Sequence, residues 1–469
     1  MTRRTKRAFQ PGRRAVLRGI GVGAAALAFP HIWIPNKAYA QTAGRGAILH
    51  LLYIRLSGGF RFSAVFNSDV DAQFSPFGLS GQKAMGTEWG PSTLLERAPF
   101  LEGGDQVVAT RKAMGMARVT EFTNEICVLP CVDHEPFSNR ADGNHGTGLE
   151  RFLTGYVGGS TSFLTYINYG LQDRGRLDWT SVALPAFSLG EAGMALGAGE
   201  YAAYRPPVMD GEGFERFGFN AEASLPAWAQ QIAANADERL RSRLHPDLRT
   251  PVEAYQQSRK DTAAYGEIFR SDVLRVSDRS NTQVDGISNA ELIQLLGDTA
   301  EGRRMALALR LFHFGSPAVF MNQGGYDMHS AEEQGLPGAI EQLNQLLSGV
   351  RAALKKMQHP SGGTYWDKTV VVLGSEFGRT TGGQKFNSAG GSDHSSDFAT
   401  RWMSMPFMGG IIQAAGKGGR SLGRTRPSDL KADGPVYSYR SVLKTLMDWL
   451  GCNHQGIFPA DAPIGDFFA

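Results

Sequence analysis

The chain has 469 residues, of which 42% are hydrophobic and 20% charged, and its formal net charge is +3. This length exceeds the usual scale of about 150 residues per domain. Three cysteines are too few for a fold that depends mainly on disulfide bonds. Because the first 40 residues hold eight Lys or Arg and no acid, the remaining 429 carry a charge near −5, which does not support a nucleic-acid partner.

The first 40 residues have the pattern of a twin-arginine export signal. Arg13 and Arg14 precede a short Gly/Ala-rich apolar stretch, and the small-residue sequence Ala-Tyr-Ala ends at Ala40. That stretch is too short to span a bilayer, and no later segment has about 18 uninterrupted apolar residues. We expect export by the twin-arginine machinery, cleavage after Ala40 and a periplasmic or otherwise extracytoplasmic protein without stable membrane insertion. A retained membrane anchor is the alternative.

Short apolar runs alternate with amphipathic helical patterns along the rest of the chain. The runs typical of buried parallel strands are residues 47–56, 126–132, 318–321 and 369–373. Apolar residues recur at spacings of three and four in segments 339–357 and 439–450. This alternation predicts an α/β fold, a three-layer α/β/α sandwich around a mainly parallel sheet. We interpret residues 41–469 as one such domain, with an irregular and helical insertion around 200–290.

Polar side chains follow two of these predicted strands. They are Asp327, His329, Glu376, Arg379, Asp393 and His394. Parallel sheets bind ligands at the carboxyl ends of their strands. Imidazole nitrogens together with carboxylate oxygens suit zinc or manganese, and a fuller set of oxygens would suit calcium. Taken singly, each residue also has an ordinary structural explanation, such as a turn cap or an ion pair. Together they predict a divalent metal site, with zinc as the first choice.

Two further segments supply candidate site residues nearer the amino terminus. Gly58 and Gly59 follow the first predicted strand and precede Arg61. A polar loop leads into a helix predicted to begin near His145, and free N–H groups at such a tip favour anions. Thr147 and Asn144 are the two candidates for that tip, and His145 is a candidate contact for substrate or metal. Ordinary helix capping is the alternative.

These segments together resemble the exported family called domain of unknown function 1501, a branch of the alkaline phosphatase and sulfatase superfamily. The likeness is carried by the Gly-Gly loop at 58–59, NHGTGLERFLTG at 144–155, GGYDMH at 324–329, EFGRT at 376–380, GGSDH at 390–394 and YRSVLKTLMDWLG at 439–451. The resemblance implies a metal site at the carboxyl edge of the sheet. Asp327, His329 and His394 would be ligands of one ion, with Glu376 and Asp393 nearby.

The sequence departs from the pattern of that family at two positions. Arg61 stands where the family has the Asp of Gly-Gly-x-Asp, and Asn144 stands where it has a serine before the histidine. A guanidinium has no lone pair to offer a metal, and its charge repels a cation. An amide is not a nucleophile. The first departure favours one metal, or none, over two, and both departures fall on the half of the site that performs covalent attack.

Two hypotheses about function follow from these residues. In the first, the chain is an exported metal-dependent hydrolase of phosphate, sulfate or related anionic small-molecule esters. Arg61 would then grip the substrate anion, Arg379 would bind it or orient Glu376, and Thr147 or a water molecule would attack. In the second, the chain is a catalytically silent relative that acts as a binding or assembly module for an exported protein partner.

Overall fold

The computed structural model describes most of the chain after residue 45. The described residues are 46–67, 71, 113–114, 116–134, 143–175, 177–180, 183–209, 268–379 and 402–464, with isolated helical positions between 228 and 243. The predicted export signal, much of the predicted insertion around 200–290, Asp393 and His394 lie outside them. Within these ranges, no helix combines the length and the apolar character that a membrane span requires.

A nine-stranded sheet forms the centre of the described part of the chain. Its strands are β1 His50–Leu56, β2 Ile126–Asp133, β3 Phe187–Leu189, β4 Val208–Met209, β5 Ala318–Gln323, β6 Thr369–Gly374, β7 Trp402–Met408, β8 Arg420–Ser421 and β9 Tyr437–Ser438. The order is β4-β3-β5-β1-β6-β7-β2-β8, with β9 paired to β2. Strand β7 runs antiparallel to its two neighbours, and the other pairings are parallel. The prediction of a mainly parallel sheet is confirmed.

The central strands are apolar because both faces of the sheet are covered. All seven residues of β1 and all six of β6 are buried. Branched apolar side chains pack well on such a pleated surface, and burial on both faces removes the alternation of polar and apolar residues. The four apolar runs of the sequence coincide with β1, β2, β5 and β6 to within three residues at each end.

Helices cover both faces of the sheet and complete the three layers. They are α1 His145–Thr154, α2 Phe163–Gly170, α3 Asn289–Leu296, α4 Ala300–His313, α5 Glu332–Lys356, α6 Gly410–Ala414 and α7 Tyr439–Trp449. Tyr53 of β1 stacks on Phe152 of α1, and its hydroxyl group forms a hydrogen bond with that of Tyr439 in α7. His50 points to the opposite face, since it is three positions away, and its ring lies 4.8 Å from that of Phe312 in α4. The predicted α/β/α architecture is confirmed.

Helix α5 begins seven residues earlier than the apolar periodicity indicates. It starts at Glu332 and continues through Pro337, where sequence alone favours a helix boundary. The Glu332 side chain is buried against Arg61, which fixes the first turn. An acidic residue at this end also interacts favourably with the helix dipole. Helix α7, in contrast, coincides with the predicted segment 439–450.

Candidate metal-binding site

Three neighbouring parallel strands, β5, β1 and β6, end at the same edge of the sheet. The segment after β5 carries Asp327 and His329, and the segment after β6 carries Glu376 and Arg379. Helix α1 begins with His145, which contacts residues of both segments. Side chains that are far apart in the chain thus meet at the carboxyl edge, the usual place for ligands in such sheets.

His145, Asp327 and His329 bring three potential metal-binding atoms together. Nε2 of His329 lies 2.9 Å from Oδ1 of Asp327, and Nε2 of His145 lies 3.4 Å from the same oxygen. The ligand atoms of the three residues all lie within 4.8 Å of one another. The side chains of Asp327 and His329 are 49% and 57% exposed, so this His/Asp/His cluster opens to solvent.

The donor set and its spacing fit a divalent ion. Two imidazole nitrogens and one carboxylate oxygen are typical ligands of zinc and similar metals. Ligands about 2.0–2.1 Å from a metal lie roughly 3.3 Å apart in tetrahedral geometry and roughly 2.9 Å apart in octahedral geometry. The separations of 3.4 and 2.9 Å around Asp327 are of this size, and the ligand atoms of all three residues lie within 4.8 Å of one another. Three protein ligands would leave further coordination positions open to water or substrate.

Glu376 lies behind His145 and is buried. Its Oε1 accepts a hydrogen bond from the N–H of Gly58 at 2.7 Å and lies 3.4 Å from Nδ1 of His145. Nε of Arg55 lies 3.9 Å from Oε2. Burial alone would raise the pKa of Glu376, but the hydrogen bond from His145 and the positive charge of Arg55 outweigh it and lower the pKa. In turn, the hydrogen bond to Glu376 raises the pKa of His145, against the opposing effect of partial burial.

Arg379 is fully buried and joins the segments that follow β1, β5 and β6. Its Nη2 donates to the carbonyl oxygen of Gly58 at 2.7 Å, and its Nε donates to that of Gly59 at 3.1 Å. Nη2 also forms an ion pair with Oδ1 of Asp327. The sequence led us to expect Arg379 to bind an anion or to orient Glu376. In the structure its guanidinium holds Asp327 and the Gly-Gly loop.

Arg61 is engaged with a carboxylate from another part of the chain. Its Nε and Nη2 each lie 2.9 Å from an oxygen of Glu332, and both side chains are almost completely buried. In this bidentate ion pair, the guanidinium neutralises the charge of Glu332. We therefore give Arg61 no part in substrate binding in the proposal below.

The tip of α1 is capped by its own sequence. Oδ1 of Asn144 accepts hydrogen bonds from the N–H groups of Gly146 at 2.9 Å and Thr147 at 3.2 Å. The Thr147 hydroxyl donates to the Asn144 carbonyl at 3.4 Å. Asparagine is among the preferred residues for this position. Asn144 thus stabilises the start of α1 and places His145 at its first position.

Two glycines allow the segments of the site to approach one another closely. Gly58 has φ +113°, and a Cβ there would lie 2.4 Å from the backbone nitrogen of Asp327. Gly148 lies one turn after His145, and a Cβ there would lie 3.0 Å from the Phe377 ring. The sequence pointed to the Gly-Gly loop but not to Gly148, whose signal is its position three residues after His145 on the same helix face.

The structure also places Arg55 at this edge, which we did not expect. Arg55 lies between Glu376 and Glu191, 3.9 and 3.5 Å from their carboxylates. A charged residue near the end of an otherwise apolar strand is the signal that was available, since a buried charge needs a partner. Of the expected metal-site residues, the structure brings together Asp327 and His329 and places Glu376 against His145. Asp393 and His394 lie outside the described residues.

The fold and this site define an α/β protein with a mainly parallel sheet and a His/Asp/His cluster at its carboxyl edge. Residues 79–463 match the family described as "Protein of unknown function (DUF1501)", and the chain therefore belongs to that family. Among solved structures, alkaline phosphatase from the Antarctic bacterium TAB5 is similar over 87% of this chain and 99% of that chain, with 12% identity and a TM-score of 0.28. A TM-score this low adds nothing to what the sheet itself shows. No curated protein matches the sequence.

Proposed function

We propose that this chain is an exported metal-dependent hydrolase that cleaves a phosphate, a sulfate or a related anionic ester. The observation that carries the proposal is the His/Asp/His cluster, whose ligand atoms lie within 4.8 Å of one another. The cluster is open to solvent, which a substrate requires. A divalent ion held there would polarise an ester oxygen and lower the pKa of water.

The charges around the cluster support an anionic substrate. Asp327, Glu376 and Glu191 face Arg379 and Arg55 in ion pairs, so their formal charges sum to −1 when the histidines are neutral. A divalent ion would change this local balance to +1. A site of positive charge attracts anions and raises their local concentration.

The side chains around the cluster hold its members in place. Arg379 is buried and binds Asp327, so this carboxylate has little freedom to move although half of it is exposed. The ring of Phe377 lies 5.0 Å from that of His145. Fixed ligands reduce the reorganisation that a reaction would otherwise require. Thr147, in the first turn of α1, is the candidate nucleophile, and direct attack by water is the alternative.

A catalytically silent protein that binds or assembles with an exported partner is the second candidate. It is favoured by Arg61 and Asn144, the two departures from the family pattern. Arg61 forms a buried ion pair with Glu332, and Asn144 is the N-terminal cap of α1. Neither residue is presented as a reactive group in these contacts. This candidate predicts a folded chain, with or without metal, that hydrolyses no ester.

Metal analysis of the full chain purified from the periplasm tests the proposal, together with a panel of p-nitrophenyl phosphate, sulfate and phosphonate esters. We expect one divalent ion per chain and turnover of at least one ester. His329→Ala should lose the ion. His313→Ala is the matched control, because Nδ1 of His313 also lies close to a carboxylate, 2.8 Å from Asp285, outside the cluster.

The outcomes separate the two candidates. Substoichiometric metal with no turnover of any ester would overturn the hydrolase proposal. Stoichiometric metal that His329→Ala removes, without turnover, would favour the silent binding module. Thr147→Ala then distinguishes the nucleophiles of an active protein, since direct attack by water does not need this hydroxyl.

A further inference from the structure

Glu376 differs from the members of the His/Asp/His cluster in burial and in surroundings. Its side chain is 4% exposed, whereas those of Asp327 and His329 are about half exposed. Among the described residues, the group with ligand atoms within 4.8 Å of one another comprises His145, Asp327 and His329 and does not include Glu376. Glu376 is thus poorly placed to be a metal ligand.

The contact between Glu376 and His145 determines which ring nitrogen carries the proton. Oε1 of Glu376 lies 3.4 Å from Nδ1 of His145 and accepts a second hydrogen bond from the N–H of Gly58. An ionised carboxylate can only accept hydrogen bonds, so Nδ1 must be the donor. In a neutral imidazole the other nitrogen then keeps its lone pair. That nitrogen, Nε2, is the atom that lies 3.4 Å from Asp327.

Packing of α1 holds His145 in this orientation. Gly148 lies one helical turn after His145 on the same face. A Cβ at Gly148 would lie 3.4 Å from Cβ of Glu376 and 3.0 Å from the Phe377 ring, so the absent side chain lets the helix come close. The Phe377 ring lies against that of His145 on another side. The approach of α1 to the segment after β6 therefore sets the separation between His145 and Glu376.

We propose that Glu376 is a positioning residue, which holds His145 with its proton on Nδ1 and its Nε2 lone pair directed at the metal site. This inference rests on the proposed function, because it assigns Glu376 a role toward the metal that the cluster would bind. Carboxylates that orient a ligating histidine typically contribute a factor of about 10–100 to metal affinity. The residue acts through His145, not by contact with the ion.

The test compares Glu376→Gln with Glu191→Gln in the full chain. Both carboxylates flank Arg55, at 3.9 and 3.5 Å, but the described contacts of Glu191 do not include His145, which makes it the matched control. Zinc affinity is measured by competition with a chelator. The tautomer of His145 is read in metal-free protein from the nitrogen-15 shifts of its ring, assigned by their absence in His145→Gln.

We expect Glu376→Gln to bind one zinc ion about 10–100-fold more weakly than Glu191→Gln, which shares the loss of one charge beside Arg55 but keeps the contact between Glu376 and His145. His145 should have its proton on Nδ1 in wild type and in Glu191→Gln, and a mixture of tautomers in Glu376→Gln. If Glu376→Gln does not fold, Glu376→Asp replaces it, because it keeps the charge and withdraws the carboxylate by one methylene. Its affinity should then be intermediate.

Two results would overturn the inference while leaving the proposed function intact. Loss of zinc in Glu376→Gln as complete as in His329→Ala would make Glu376 a ligand. Unchanged affinity and an unchanged tautomer would leave it with no role toward His145. Failure of the proposed function is a different result, an absence of stoichiometric zinc in wild type. The tautomer measurement would still report on Glu376 in that case, because it needs no ion.

Discussion

The guanidinium of Arg61 and the carboxylate of Glu332 form a bidentate ion pair with almost no exposure to solvent. Its two N–O distances are both 2.9 Å. The pair joins the loop after β1 to the first residue of α5, 271 positions away in the chain. The pair matters for the stability of the fold, because removal of one partner would leave the other charge buried and uncompensated.

Glu332→Ala should therefore lower the free energy of unfolding by about 3–5 kcal/mol, as found when one partner of a buried pair is removed. The double variant Arg61→Met/Glu332→Leu should recover most of this loss, since apolar side chains of similar volume replace both charges. Urea unfolding of the three proteins measures the difference. A loss below about 1 kcal/mol for Glu332→Ala, the scale of an exposed pair, would contradict the structure at this point.

Gly58→Ala should disturb both the backbone and the site. Gly58 has φ +113°, and its added Cβ would lie 2.4 Å from the Asp327 nitrogen, so the segment after β5 must shift. We expect weaker metal binding and a stability loss greater than that of Gly158→Ala. Gly158 also has positive φ, but none of the described residues places an atom within 4 Å of an added Cβ, so we expect a strain of about 1–2 kcal/mol there. Chelator competition and urea unfolding check the comparison, and equal effects of both variants would refute it.

Tyr53 and Tyr439 should differ in the cost of losing their hydroxyl groups. The Tyr439 hydroxyl donates to the carbonyl of Phe152 at 2.7 Å and lies 2.6 Å from the Tyr53 hydroxyl, which must then be the donor to it. Tyr439→Phe leaves both buried partners unsatisfied, at about 1–3 kcal/mol for each group, whereas Tyr53→Phe removes one donor only. Thermal and urea unfolding should rank Tyr439→Phe as the less stable variant. The reverse order of stability would contradict the assignment in which Tyr53 donates to Tyr439 and Tyr439 donates to the Phe152 carbonyl.

Two buried histidines at the amino-terminal edge of the sheet form a hydrogen-bond chain. Nδ1 of His50 lies 2.8 Å from the carbonyl of Ser316 and must donate to it. Nε2 of His50 then accepts from Nε2 of His359, 3.3 Å away. Nδ1 of His359 accepts in turn from the Ser361 hydroxyl at 2.7 Å. With both rings neutral, each of these four nitrogens has a partner. A further proton on either ring would break one of these bonds.

This chain predicts a loss of stability in mild acid. Burial lowers the pKa of His50 to about 3 and that of His359 to about 4, both below the ordinary value of about 6.5 expected for the unfolded chain. The contribution of these neutral rings to stability is therefore complete above the unfolded pKa and decreases as the pH falls through it. For His50 alone the loss between pH 7.5 and 5.5 is about 1.4 kcal/mol.

Urea unfolding at both pH values measures this loss. His50→Phe keeps an aromatic ring against Phe312 and cannot titrate, so its stability should fall less than that of wild type over this interval. Equal losses in the two proteins would show that His50 is not held neutral in the folded state.

The strands were predictable because their sequence signal is local. A strand covered on both faces requires a continuous apolar run, and β6 is recognisable from TVVVL alone. The start of α5 was not, because its first turn is held by the contact of Glu332 with the distant Arg61 and not by its own periodicity. The bounds of α7 were predicted from its apolar face, whereas the prediction for α5 covered only the part of the helix that follows Pro337.

The candidate site divides in the same way. Asp327 and His329 stand two positions apart after one strand, so sequence alone indicated that they belong together. Their meeting with His145 depends on α1 lying against the segment after β6, which Gly148 permits. The partners of Arg61, Arg379 and Glu376 likewise come from distant segments, and no local pattern identifies them.

The sequence by itself determined the class of sheet, the position of its central strands and the residues with the chemistry to bind a metal. Only the tertiary structure decided which of those residues contact one another, which form ion pairs with distant residues and which are buried beneath the exposed cluster. The physical reason is that apolar periodicity records whether a segment is buried. The order β5-β1-β6 and the packing of α1 fix which buried segments are neighbours.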